Sequence, residues 1–447
     1  MEFKNVTKLT TLGALATVTL MFSQVALAEH EDFDNEPARA DKFYHLTPEP
    51  GHHHHHLYHH RHHHYHHLHG TNTSIHFILN PRLDATYDVG PFPGNFIQAP
   101  FIPLKGVNGA SRMRSNADLQ ALATTFGAKT KTQTSLGEVD THIEMDFYGD
   151  DNFDARKNDD YEPRMTFAYF DVQGFRIGQD TTNFFDLDSI GSTVDYGTIM
   201  GGFVRQGQIR YTHFPHHHHH HWKWSAALER PATDYTNEEG VITRQYDASA
   251  VPDFTLNIKY QKHNAHATLR GLVRELRVKE AQDVNGTAGV GDHESRDTAF
   301  GLGVSGRYFF VDGSSIFGQF NFGDGIGRYI VDHHGQSAFF NDETGIFRSQ
   351  RASFGTVGLE VIWPTHCHNI RSNFIYSHSQ VDVSSQTPVL TGDIRVTESI
   401  DKFFTNILYE PIKHMDLGIE YNYARRESFD EREGHISRVS AAAVYHF

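Results

Sequence analysis

From residue 75 to Phe447, apolar and polar side chains alternate in short runs, the period-two signature of strands with two unlike faces. The runs fall at 75–88, 121–132, 137–149, 163–173, 174–185, 201–214, 221–231 and 253–262, then at 265–278, 297–310, 314–325, 349–364, 367–380, 399–412, 414–426 and 435–447, sixteen in all. In 137–149, Val139, Ile143, Met145 and Phe147 alternate with Asp140, His142, Glu144 and Asp146, and in 253–262 Phe254, Leu256, Ile258 and Tyr260 alternate with Thr255, Asn257, Lys259 and Gln261. The last run puts Val439, Ala441, Ala443, Tyr445 and Phe447 on one face. An apolar face ending in aromatic residues suits a strand with lipid on one side and water on the other.

The connections have a rhythm of their own. Short links at Gln173-Gly174, 262–264, 311–313, 365–366 and 413 alternate with long gaps at 89–120, 186–200, 232–252, 279–296, 326–348 and 381–398. Bacterial outer-membrane barrels have short periplasmic turns and long extracellular loops, whereas a soluble β-sandwich has no reason to keep such a rhythm or to line its inner faces with charge. The prediction is an all-β fold over 75–447: a transmembrane antiparallel β-barrel of about sixteen strands, with short periplasmic turns and long extracellular loops. An interior of that width is not filled by side chains and leaves a water channel, so the expected function is passive diffusion rather than catalysis.

The N-terminus points the same way. Lys4 and Lys8 precede an apolar stretch over 9–22, and Ala26-Leu27-Ala28 forms a small-residue cleavage site, so residues 1–28 read as a signal for Sec-type export to the outer membrane. The stretch is too short for a spanning helix and is diluted by Thr10, Thr11, Thr17 and Thr19. Mean hydropathy is −0.51, which a barrel explains because only alternate residues of its strands must be apolar. The single cysteine, Cys367, excludes an intrachain disulfide. A net charge of −16 argues against a nucleic-acid partner.

Sixteen-stranded general porins fold the loop after their fifth strand into the barrel, and by resemblance Asp186, Asp188 and Asp195 become candidates for the acidic side of a constriction. Arg176, Arg210, Arg270, Arg274, Arg307 and Arg371 sit at or near polar-face parity and are candidates for the opposing charge. Guanidinium groups are permanently charged and bind carboxylates bidentately, so a lumenal cluster would attract anions. Selectivity follows the field at the constriction rather than the net charge of the chain.

Three stretches resemble the DcaP-like trimeric porins: Ile143-Glu144-Met145-Asp146-Phe147-Tyr148-Gly149, Arg176-Ile177-Gly178-Gln179-Asp180-Thr181-Thr182-Asn183-Phe184 and Arg205-Gln206-Gly207-Gln208-Ile209-Arg210-Tyr211-Thr212. The resemblance implies a sixteen-stranded barrel, a homotrimer and uptake of small anionic solutes such as dicarboxylates, with Arg205 and Arg210 as preferred anion contacts. Gly207 stands where that family often has proline, Asp180 replaces a neutral residue, and no heptads between 29 and 74 supply the family's N-terminal coiled coil.

Histidine is the remaining anomaly, with 35 residues. The predicted N-terminal segment 29–74, read as a disordered periplasmic extension, contains His52, His53, His54, His55, His56, His59, His60, His62, His63, His64, His66, His67 and His69. A second run, His216, His217, His218, His219, His220 and His221, links strands six and seven. Counting strands places both tracts at the periplasmic end. Neutral imidazole ligates zinc, copper or nickel, so the alternative function is a metal-gathering outer-membrane protein. Gly301-Leu302-Gly303-Val304-Ser305-Gly306 fits a dinucleotide fingerprint only literally, because it lies inside a strand with no helix after it, and His366-Cys367-His368 offers too few ligands for a closed zinc site.

Overall fold

The computed structural model describes residues 65–90, 96–106, 115–149, 162–195, 203–213, 221–237, 242–245, 249–262, 264–279, 294–333, 336–341, 346–365, 369–382 and 396–447. The signal at 1–28, most of the N-terminal segment, His216 to His220 and the His366-Cys367-His368 turn lie outside the described residues.

Nineteen strand segments join in one sheet, and every pairing in it is antiparallel. From Gly137–Asp146 to Glu433–Tyr445 each long strand pairs with its neighbours in the chain. The last strand then returns to the first, with Ser437 opposite Val89 and Val444 opposite Arg82. The first predicted strand is interrupted at Pro81, which has no N–H to give to a ladder. Thr73–Asn80 pairs with Thr125–Thr134, whereas Arg82–Val89 lies between Asn116–Gln120 and Glu433–Tyr445. The second strand starts at Asn116, earlier than expected, and is broken between Gln120 and Thr125.

The two faces are those of an inside-out protein. In the first strand Phe77, Leu79, Leu83, Tyr87 and Val89 are exposed, while Arg82, Asp84, Thr86 and Asp88 are buried. Each change of face follows from the pleat, and the buried set is polar because the inner surface meets water and other polar groups. Aromatic residues gather at the short-turn end: Trp222 lies against Tyr260 with ring centroids 4.8 Å apart, and Tyr445 against Phe447 at 5.0 Å. Such a girdle marks a membrane interface. Among the described residues no helix is long and apolar enough to cross a membrane.

One expected loop is a turn. Between Met415–Ser428 and Glu433–Tyr445, on the long-loop side, Ser428 N–H donates to Arg432 O at 3.0 Å, and Glu431 adopts a positive φ of 64° to close the link. The short-long rhythm therefore stops at the last pair. Where the sequence suggested only loops, a second sheet forms from Thr233–Asn237, Ile242–Gln245, Ala338–Asn341 and Ile346–Ser349.

Candidate functional site: the inward loop and the lumenal wall

After Phe175–Thr181 the chain turns over the polar face of the sheet rather than out to solvent. Thr182 Oγ1 and Asn183 N–H both donate to Glu229, at 2.7 and 2.8 Å, which turns the chain inward. Phe184, fully buried, packs with Tyr329, Ile326 and Leu272. A 3₁₀ turn at Leu187–Ser189 follows, capped by Asp186, whose carboxylate accepts from Asp188 N–H at 3.1 Å.

The rest of the loop is pinned to the wall residue by residue. Ile190 O accepts from Arg307, and Ser192 O accepts from Asn406 at 2.8 Å. Val194 O accepts from Arg82 at 2.6 Å, and the backbone N–H groups of Val194 and Asp195 donate to Glu420 at 3.0 and 2.9 Å. Gly191 fits where a Cβ would come within 2.5 Å of Phe317 and 2.7 Å of Ile375. Two further segments lie inside: Ile97, Ala99 and Ile102 pack on Ile400, Ala424 and Ile436, and Asp332 receives an ion pair from Lys402 at 2.6 Å. Beside Asp332, burial pushes the His333 imidazole down to about 4, so it is neutral at ordinary pH.

The three candidate aspartates do fall in this loop, but their charges are committed to the wall. Asp186 accepts from Ser189 and Ser305, each at 2.6 Å, lies 3.1 Å from His266, and has Lys259 at 3.9 Å. Asp188 pairs with Lys259. Asp195 receives Arg438 at 3.0 Å and the Ile97 N–H at 3.2 Å. The loop thus owes its position to carboxylates expected to face a solute.

The arginines divide into two groups. Arg270 and Arg274 are 1% and 2% exposed, which removes them from the water-facing lining expected of them. Arg270 is spent on Gln319 and Asn321, and Arg274 on Asp253, Gly325 O and Ala232 O. Arg307 and Arg371 flank Glu360 at 3.6 and 4.0 Å. On the wall formed by the third to sixth long strands the arrangement differs. Arg176 bridges Asp171 and Asp180, each at 2.7 Å, and lies 3.8 Å from the Tyr169 ring centroid, while Arg210 reaches Asp180 at 2.8 Å. Arg164 covers Asp146 at 2.6 Å.

Arg205 and Arg210 do not form one cluster. Five residues apart, they have opposite parity, and Arg205 instead places its guanidinium carbon 4.7 Å from the Phe203 ring and 5.2 Å from Phe167. Sequence reasoning missed Arg82, Arg438, Glu420, Glu229, Lys259 and His266. Their inward parity was visible, but their partners lie on distant strands. Of the histidine tracts, His66, His67, His69 and His221 are described, and among the described residues no group of three or more His, Cys, Asp or Glu is arranged to hold a metal ion.

An antiparallel sheet with an apolar outside, a polar inside and a loop pinned across its interior defines the class of outer-membrane porins. Within that class, a family model described as DcaP outer membrane protein matches residues 63–447, and the chain belongs to that family. The crystal structure of the outer membrane channel DcaP of Acinetobacter baumannii is similar with a TM-score of 0.68 and 20% identity, covering 84% of this chain and 98% of that one. An anion-selective porin from Comamonas acidovorans shares the fold more loosely, with a TM-score of 0.50 and 11% identity over 84% of this chain and all of the other. No curated protein sequence matches the chain.

Proposed function

We propose that this outer-membrane porin is a closed barrel of sixteen strands, assembled as a homotrimer, that passes small hydrophilic solutes by diffusion and prefers anions of the dicarboxylate type. The count treats Thr73–Val89 and Asn116–Thr134 as single interrupted strands, and closure rests on the pairing of Glu433–Tyr445 with Arg82–Val89. Trimerisation rests on the family resemblance.

The observation that carries anion preference is the relative depth of charge on the lumenal wall. The Asp146 and Asp180 side chains are 0% and 2% exposed, whereas the Arg164, Arg176 and Arg210 side chains above them are 35%, 15% and 16% exposed. Asp171, at 33%, is the exception. A passing solute meets guanidinium groups before it meets most of their partners, and a low-dielectric wall strengthens that field. Proteoliposome swelling tests the reading: a short dicarboxylate should enter faster than the diamine of matching length, and equal rates would contradict it.

A second reading, metal collection by the histidine tracts, is favoured by one observation. His66 and His67 pair with Ile75 and Ser74, respectively, at the start of the first strand, and His221 precedes Trp222. Both attachments lie at the short-turn end. Zinc titration of the protein against a variant lacking both tracts tests this, and equal uptake would remove it.

A further inference from the structure

Glu420 lies on the lumenal face of Met415–Ser428 and is 1% exposed. Its Oε1 accepts the Asp195 N–H at 2.9 Å, and its Oε2 accepts the Val194 N–H at 3.0 Å and Asn406 Nδ2–H at 2.8 Å. Two successive backbone donors on one carboxylate fix both the position and the orientation of the loop's end. Among the described residues Glu420 forms no ion pair.

Its surroundings are rich in acids. On the loop, Asp195 is bound by Arg438 of the last strand, and Asp88 of the first strand shares that guanidinium at 2.6 Å. Also on the first strand, Arg82 pairs with Asp84 at 2.6 Å while holding Val194 O. Asp195, Asp88 and Asp84 therefore take up both guanidinium groups, and Glu420 pairs with neither. Along its own strand, Asp416 contacts His446, and Arg426 donates to Thr397 and Ile102 O. On the neighbouring strand Lys402 is taken by Asp332. None of these cations is spare for Glu420.

We propose that Glu420 is a positioning residue that sets the width of the passage at the loop's end, and that it does so only while ionised, making the constriction acid-responsive. The inference rests on reading 182–195 as the constriction of the porin. Both oxygens of Glu420 act as acceptors, so adding a proton turns one of them into a donor facing an N–H, and the three bonds from Val194, Asp195 and Asn406 can no longer all be kept. The other end of the loop stays in place through Asp186 and the Ile190 carbonyl, so release is confined to the stretch that contacts Ile97. The loss of a bond to a charged acceptor shifts a local equilibrium by about tenfold.

Single-channel records of the full-length protein in planar bilayers between about pH 8 and about pH 5 test the proposal. Wild type should change its open probability by about tenfold across that window. Glu420→Gln, which copies the protonated shape, should show the acid behaviour at every pH, and Glu420→Asp should keep a pH response. A flat wild type, a Glu420→Gln variant that titrates like wild type, or a flat Glu420→Asp variant would each overturn it. Ion preference is read separately from reversal potentials at about pH 8. Its loss would strike the proposed selectivity and leave the pin standing.

Discussion

Asp180, with its side chain 2% exposed, is held by two guanidinium groups that are themselves partly open to the lumen. Replacing Asp180 by Asn removes the charge that offsets Arg176 and Arg210, and the released guanidinium groups can turn to water rather than stay buried and unpaired. The expected outcome is a folded channel with a reversal potential shifted further toward anions, and Arg210→Gln should shift it the other way. Arg438 is a harsher case, because it is wholly buried between Asp88 and Asp195. Arg438→Met removes the guanidinium between two buried carboxylates, a loss on the order of 3–5 kcal/mol when one member of a buried pair is removed. A lower temperature of heat modification on gels would report it. An unchanged transition would show that the seam between last and first strands does not depend on this residue.

At the scale of elements, the loop is a rigid part because its backbone is held from several strands. Gly191 has no room for a side chain: a Cβ would meet Phe317, Ile375 and Asn373 at 2.5, 2.7 and 2.9 Å. Gly191→Val should therefore push the loop off the wall toward the lumen, and single-channel conductance should fall. Unaltered conductance would mean that this stretch does not bound the passage. The strands themselves were legible from alternation, and Pro81 carried a readable warning that the first would break. The loop's seat was not legible, since its pins join residues far apart: Asp195 and Arg438 are separated by 243 positions, and Ile102 and Arg426 by 324. Period and parity are local signals, whereas the pairing of the last strand with the first joins residues from opposite ends of the chain. Asp186, Asp188 and Asp195 were found by position in the loop, and only their partners revealed that they serve its anchoring. The small second sheet escaped for a different reason, because its strands are too short to show alternation above the noise of a loop.

The whole molecule is a polar interior wrapped in an apolar band, and its stability depends on lipid as solvent. Ile407, near the middle of Thr397–Ile412 and facing outward with 53% of its surface exposed, is a probe of that band. Ile407→Arg should cost about 2–4 kcal/mol if it sits near the bilayer midplane. Folding yield into vesicles would show the loss. A water-filled channel whose exposed lumenal charge is basic must show itself in the reversal potential of the purified protein in a planar bilayer across a potassium chloride gradient. The expected result is steady conductance with a reversal potential of the sign set by chloride. Absence of conductance, or a sign set by potassium, would contradict it.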